Sequence, residues 1–185
     1  MYTLRMRLYL SSMDVGNYPE RLIGLVGNNK KAAVVLNALD HADSTRNEWL
    51  KKNIQNLERL GFQTEELDLR QYFYDNNGLE NKLSEYGLVY GGFSAALYVI
   101  SPSLRGAELV DDPEIAPTGY KEEFRWDALN LIPYSVAVHY QSNHEESEDM
   151  EKEIEYYKKN NISYKTLRDG DVIVISGDSE EVLNR

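Results

Sequence analysis

Ser94 occupies a pattern that is typical of an enzymatic nucleophile. The apolar stretch Leu88-Val89-Tyr90 leads into Gly91-Gly92-Phe93-Ser94-Ala95-Ala96, and an apolar run to Ile100 follows. Strand, Gly-x-Ser-x-small residue and helix is the order of a nucleophile elbow, whose tight turn exposes the serine hydroxyl at the carboxyl edge of a sheet. Backbone N–H groups at the start of the next helix can then hold an oxyanion. A Gly-Gly turn with an incidental serine is the alternative interpretation.

A serine nucleophile needs a base within hydrogen-bond reach and an acid that orients this base. Of the three histidines, His41 precedes a predicted helix and His144 lies in an acidic helix start, whereas His139 ends the apolar run Val136-Ala137-Val138. Sites in α/β folds form where buried strands end, so His139 is the candidate base. A histidine that is merely packed at the sheet edge is the alternative.

Asp169 is the candidate acid, in the Asp-Gly turn between the last two predicted strands. Turn chemistry alone also explains an Asp-Gly pair, and Asp171 competes, although we expect it at the surface. The order Ser94, His139, Asp169 differs from the serine, acid, histidine order of α/β-hydrolases.

Neither a metal nor an organic cofactor is expected. His139 and His144 with Glu145 or Glu146 could supply metal ligands, but their spacing matches no helical ligand pair and a third clear ligand is missing. The sequence also lacks the glycine-rich motifs of nucleotide sites.

The elements that must position these residues alternate between strand and helix patterns, which predicts an α/β fold with a mainly parallel sheet. Asp43 or Ser44 is expected to cap the long second helix, and Asn143 with Glu146 to form a capping box. Residues 168–171 are expected to turn a hairpin. The predicted strands are 4–10, 31–36 (a buried one), 62–69, 88–90, 129–139, 163–167 and 172–175, and the predicted helices are 19–25, 43–60, 79–86, 95–100 and 143–160.

Composition limits the function classes. A chain of 185 residues with 42% apolar content predicts one globular domain over residues 1–185. The absence of cysteine excludes disulfides and thiolate chemistry. A net charge of −11 argues against nucleic acid or an anionic membrane surface as partner. No run is apolar enough for a membrane helix and the first residues do not form a secretory signal, so we expect a cytoplasmic protein. Whether it forms a homodimer stays open.

The chain resembles peptidase family S51, the family of dipeptidase E and cyanophycinase. The resemblance extends over most of the chain, and the distance from the elbow to His139 makes it more specific than any single motif. The blocks that carry it are Gly92-Phe93-Ser94-Ala95-Ala96, Ser101-Pro102-Ser103-Leu104-Arg105, Trp126-Asp127-Ala128-Leu129-Asn130-Leu131-Ile132-Pro133, His139-Tyr140 and Leu167-Arg168-Asp169-Gly170.

The resemblance implies a flavodoxin-like α/β fold, a three-layer sandwich related to class I glutamine amidotransferase domains, with a C-terminal hairpin. It also implies a serine peptidase, a hydrolase of short peptides, which in dipeptidase E carry an N-terminal aspartate. If the family's roles are transferred to the matching positions, the resemblance implies that Ser94 is the nucleophile, His139 the base and Asp169 the acid. It also implies that the Ala95 N–H is an oxyanion donor. Arg105 would bind an acidic group of the peptide, or else form a structural salt bridge.

Two departures from the family pattern matter. Ala96 stands where the family has a second glycine. A strand, a Gly-Gly-Asn turn and a helix that precede the elbow in the family are not recognisable here, and in the family that segment supplies a second oxyanion donor. The alternative function is therefore a catalytically impaired relative that acts as a binding or scaffold module.

Overall fold

The computed structural model describes residues 6–86, 89–111, 117, 119, 120 and 124–184. None of the helices in these ranges is long and apolar enough to cross a membrane. The strands and helices in chain order are β1 (Arg7–Ser11), α1 (Pro19–Val26), β2 (Lys31–Val34), α2 (Asp43–Arg59), β3 (Gln63–Glu66), α3 (Asn76–Leu83), β4 (Val89–Phe93), α4 (Ala95–Ile100), β5 (Ser135–Ala137), α5 (Ser147–Lys159), β6 (Tyr164–Thr166), β7 (Val172–Ser176) and β8 (Ser179–Leu183).

The central sheet has the strand order β4-β1-β7-β8. Strand β1 runs parallel to β4 and antiparallel to β7, and β7 runs antiparallel to β8. Leu8 and Leu10 pack into one apolar cluster, while Tyr9 packs into another. Since successive side chains of a strand point to opposite faces, the sheet separates two cores, with α4 and α5 on one side and α1 on the other.

Two further strand pairs are parallel, β2 with β3 and β5 with β6. Parallel pairing therefore predominates, and the α/β class that the sequence predicts is confirmed. The buried strand predicted over 31–36 is shorter and mostly uncovered: of β2 only Val34 is buried. Its other residues are half-covered or exposed, and its partner β3 is likewise a largely exposed strand.

The hairpin predicted around 168–171 is wrong. Strand β6 pairs with β5 in parallel, and the hairpin joins β7 to β8 through Gly177 and Asp178. Residues 168–171 do form a tight turn, since the Asp171 N–H donates to the Arg168 carbonyl at 2.9 Å. The turn nevertheless leads the chain from one sheet to another, which a local pattern does not distinguish from a hairpin.

Both predicted helix caps are also wrong. Helix α2 has Ala42 at its N-cap and no side-chain cap, with Asp43 inside the first turn. Helix α5 has Glu146 at its N-cap, again without a side-chain hydrogen bond. The Glu146 carboxylate faces His139 and His144 instead.

A buried carboxylate joins the helix after the elbow to the last helix. Glu153 of α5 is 0% exposed and accepts hydrogen bonds from the Tyr98 hydroxyl of α4 at 3.0 Å and from the Tyr157 hydroxyl at 2.5 Å. Burial raises the pKa of Glu153 to about 7, although both tyrosine hydrogen bonds act to lower it. The protonation state of this one residue therefore bears on the contact between the two helices.

Candidate active site

The elbow forms where the sequence predicts it. Strand β4 ends at Phe93, Ser94 adopts a φ of +49°, and α4 begins at Ala95. A positive φ is strained for a residue with a side chain, and here the backbone holds it from both sides. The Ser94 N–H donates to the Ser12 carbonyl at 3.2 Å, and the Ser94 carbonyl accepts from the Leu97 N–H at 2.9 Å.

The elbow packs too closely for any side chain at Gly92. A Cβ there would lie 2.8 Å from the Ala96 Cβ and 2.9 Å from the Tyr90 ring, whereas a Cβ at Gly91 would meet nothing within 4 Å. Ala96, which departs from the family pattern, lies inside α4 and outside the positive-φ residues. Alanine is therefore well tolerated at that position.

Gly92→Ala is expected to lower the free energy of unfolding by about 1–3 kcal/mol, the usual cost of overpacking. It should also displace Ser94, which lies two residues further on. Gly91→Ala is the matched control, since its methyl group enters open space. Urea unfolding of the two variants measures the difference. Equal stabilities would contradict the close packing of the elbow.

His139 follows β5 and brings its ring to Ser94. It is 1% exposed and has a φ of +53°, a conformation in which histidine is enriched among non-glycine residues. Its Nε2 lies 3.4 Å from the Ser94 Oγ. This distance is at the long end of a hydrogen bond, as is common in sites without substrate.

Asp169 lies on the other side of the same ring. Its Oδ1 is 2.7 Å from the His139 Nδ1. The Asp169 N–H donates to the Ser142 Oγ at 2.8 Å, which holds the turn against the loop after His139. The competing Asp171 is buried rather than at the surface, and its carboxylate accepts the Arg168 N–H at 2.9 Å within the turn. Asp171 thus builds the turn that presents Asp169.

Ser12 is the residue that sequence reasoning missed. It follows β1, is 0% exposed, and donates its hydroxyl to the Asp169 Oδ1 at 2.9 Å. Its Oγ also accepts the His139 N–H at 2.7 Å. Together with the bond from Ser94 to its carbonyl, Ser12 contacts all three candidate residues. Ser12 could have been proposed from the sequence because it directly follows an apolar strand, at the sheet edge where sites of α/β folds form.

Ser12→Ala should reduce kcat by about 10- to 100-fold. This is the range found when a residue that hydrogen-bonds and orients a metal-ligating side chain is removed, and Ser12 would orient Asp169 and His139 in a similar way. The Ser12 hydroxyl holds the Asp169 carboxylate and the His139 backbone but reaches no reacting atom, so KM should change little. Ser12→Thr retains the hydroxyl and should recover part of the rate. A rise in KM at constant kcat would contradict this positioning role.

His144 and Glu146 border the candidate site. The His144 ring stacks on the His139 ring at a centroid distance of 3.7 Å and an interplanar angle of 6°. The Glu146 Oε2 lies 3.9 Å from the His139 Nε2 and 3.9 Å from the His144 Nδ1. Burial raises the pKa of Glu146, while the two histidines act to lower it.

These three residues also form a cluster that could hold a metal ion, with ligand atoms within 4.8 Å of one another. The nitrogen lone pair of an imidazole lies in the plane of its ring. Since the two planes are stacked and nearly parallel, they do not meet at one point between the rings. The arrangement is therefore not preformed for a metal, and the expected absence of one stays a prediction.

Of the other residues considered in the sequence, Ala95 adjoins the candidate nucleophile, whereas Arg105 and His41 lie apart from the three candidate residues. Ala95 is the first residue of α4, so its N–H has no acceptor within the helix and adjoins Ser94. Arg105 contacts none of the three candidate residues: its guanidinium lies 3.7 Å from the Glu108 carboxylate and 3.6 Å from the centre of the Trp126 ring. His41 is exposed at a turn. The structural alternative for Arg105, a salt bridge, is the arrangement present.

The comparisons with known proteins start from the fold. The chain superimposes on the crystal structure of a candidate peptidase E from Listeria monocytogenes EGD-e with a TM-score of 0.71 and 20% identity. The match covers 97% of this chain and 98% of that one, so the two chains are of similar length. At this identity the likeness shows the fold, which is the flavodoxin-like α/β sandwich that the sequence predicts.

No protein of curated function matches the chain. The sequence profile of peptidase family S51 matches residues 75–183, which is more than half of the chain and includes the elbow, His139 and Asp169. The chain therefore belongs to peptidase family S51.

Proposed function

We propose that this protein is a serine peptidase that hydrolyses short peptides through Ser94, His139 and Asp169. One observation carries the proposal: a single buried imidazole has its Nε2 3.4 Å from the Ser94 Oγ and its Nδ1 2.7 Å from the Asp169 Oδ1. This is the arrangement of nucleophile, base and orienting acid that serine hydrolases share on unrelated folds.

The proposed reaction proceeds in two stages. The Ser94 Oγ attacks the peptide carbonyl while the His139 Nε2 takes its proton, and the same nitrogen then protonates the leaving amine. Water, activated by His139, splits the acyl-serine ester and restores the Ser94 hydroxyl. Asp169 keeps the proton of the neutral ring on Nδ1 and stabilises the imidazolium. The Ala95 N–H donates to the oxyanion, a contribution typically worth about 100- to 1,000-fold in rate.

A fluorophosphonate probe tests the nucleophile directly, because it reacts only with an activated serine. We expect stoichiometric labelling, mapped by mass spectrometry to Ser94, and no labelling of Ser94→Ala. Hydrolysis of a dipeptide panel by wild type and not by the variant should accompany it. Equal turnover by both proteins would contradict the mechanism.

A binding or scaffold module is the second candidate. It is favoured by the direct pairing of β1 with β4, which leaves no strand between them to carry the second oxyanion donor that the family resemblance implies. Folded protein that fails to react with the fluorophosphonate would support this candidate. N-terminal aspartate as substrate remains an expectation from the resemblance, and cytoplasmic location an expectation from the sequence.

A further inference from the structure

His144 is folded back onto the ring of His139 by a tight reversal of the chain. His139 and Gln141 both have a positive φ, of +53° and +48°, and the Ser142 N–H donates to the His139 carbonyl at 3.2 Å. A positive φ costs free energy at a residue with a side chain, and such residues cluster at functional sites. This strained turn brings His144, five positions further on, against the face of the candidate base.

The two imidazoles are closer and more parallel than aromatic pairs usually are. Their centroids lie 3.7 Å apart and their planes differ by 6°, whereas aromatic pairs prefer offset or edge-to-face arrangements at about 4.5–7 Å. Because the face of an aromatic ring is negative, two neutral rings gain little from lying face to face. A cation above the face of a neutral ring is attracted to it. The stack therefore suits one charged and one neutral imidazole.

The hydrogen bonds of the two rings indicate which one is neutral. The His144 Nδ1 accepts the backbone N–H of Glu146 at 3.3 Å, so this nitrogen keeps its lone pair and the ring is uncharged. His139 is the ring that changes charge in the proposed reaction, because its Nε2 faces the Ser94 hydroxyl while its Nδ1 stays bonded to Asp169. The attraction between the rings thus becomes strong only when His139 takes up the proton.

Other charges act on the same pair of rings. In the part of the chain that the structure describes, the charged groups that face the two rings, directly or through Glu146, are all carboxylates: Asp169, Glu146, Asp111 and Glu145. Burial raises the pKa of Glu146, and Asp111 and Glu145 add to this effect. All four carboxylates remain when residue 144 is substituted. A substitution there therefore separates the effect of the second ring from that of the charges.

We propose that His144 is a positioning residue for the candidate base, and that its neutral ring stabilises the His139 imidazolium while the acyl-serine forms and breaks down. The inference rests on the proposed function, because it assigns a further residue to the same reaction. His144 transfers no proton and keeps its own on Nε2. An interaction that is strong only in the transition state raises kcat and leaves KM nearly unchanged.

Two substitutions separate the aromatic face of residue 144 from its bulk. His144→Phe keeps a ring against His139, whereas His144→Leu fills the space without one. Both remove the acceptor of the Glu146 N–H, so this loss cancels in the comparison. His41→Leu, at an exposed turn, is the control for the loss of a histidine elsewhere. The measurements are hydrolysis of the dipeptide panel and the rate of Ser94 labelling by the fluorophosphonate as a function of pH, with thermal unfolding as the check for folded protein.

We expect His144→Leu to lower kcat by about 10-fold, since a cation over an aromatic ring contributes on this scale when it is shielded from water. His144→Phe and His41→Leu should retain most of the rate, and KM should change little in all three. Without the second ring the imidazolium is less stable, so His139 stays neutral to a lower pH. The acid limb of the labelling rate should therefore move down by about 1 pH unit in His144→Leu and remain in place in His144→Phe.

The outcomes separate this role from the proposed function. If Ser94 is labelled but His144→Leu and His144→Phe have the same kcat and the same acid limb, the role of His144 is overturned and the proposed function stands. A change confined to KM would overturn it as well. If no serine of the wild type is labelled, the proposed function fails and the role of His144 fails with it.

Discussion

Asp169→Ala is expected to reduce kcat by about 10⁴-fold, as the loss of the acid does in characterised serine peptidases. The variant leaves the His139 Nδ1 and the Ser12 hydroxyl without their shared acceptor, the Asp169 Oδ1. Neither the orientation of the ring nor its imidazolium form is then supported. Steady-state kinetics on the best substrate of the dipeptide panel measures the loss, with thermal unfolding as the control for a folded protein.

Asp169→Asn should be less damaging than Asp169→Ala, for a reason specific to this site. The Ser12 Oγ accepts the His139 N–H, so its own proton points at residue 169. An asparagine must then turn its oxygen, not its NH₂, toward Ser12 and Nδ1. The correct tautomer of His139 is kept and only the negative charge is lost. Equal rates for the two variants would contradict this role of Ser12, and in Ser12→Ala the advantage of asparagine should disappear.

Glu153→Gln is expected to remove a large pH dependence of stability. The folded protein holds the Glu153 proton up to a pH of about 7, while an unfolded glutamic acid releases it near its ordinary pKa of 4.5. Folding therefore takes up a proton between these values, and the free energy of unfolding falls as the pH rises through this window. A shift of this size corresponds to about 3 kcal/mol.

Urea unfolding at pH 4.5, 6 and 8 measures this slope. Glutamine is never charged and can still bond both tyrosine hydroxyls, so the Glu153→Gln variant should lose relatively little stability toward pH 8. Glu155→Gln, an exposed change on the same helix, should behave as wild type. A slope that is identical in wild type and Glu153→Gln would show that folding does not raise the pKa of Glu153.

The sequence predicted those parts of the candidate site that depend on local patterns, whereas its catalytic role stays a prediction. The elbow at Ser94 follows from small residues between an apolar strand and an apolar helix, and both elements form as expected. His139 and Asp169 lie together because each follows a strand end, where α/β folds gather their polar residues. The family resemblance added the pairing of the three, which spacing alone left open.

The parts that the sequence did not reveal depend on contacts between distant segments. Ser12 is one of several serines that follow apolar runs, as Ser101 and Ser176 also do. The pairing of β1 with both β4 and β7 brings it to the candidate site. The hairpin was predicted at the wrong turn, because a tight Asp-Gly turn can connect strands of two different sheets as well as two paired strands of one sheet. Glu146 looked like a capping residue, but its side chain is drawn to the two histidines rather than to the N–H groups of α5.

The position of β1 also affects when the candidate site can assemble during synthesis. This early strand lies between β4 and β7, and the bond from Ser12 to Asp169 spans 157 positions of the chain. Ribosomes add about 5–20 residues per second, so on the order of ten seconds pass between the synthesis of β1 and that of β7, its second neighbour in the sheet. Pairings between such distant segments also form slowly. A nascent or truncated chain that ends before β7 therefore has no assembled nucleophile, base and acid, and the protein gains its proposed reactivity only with the last strands.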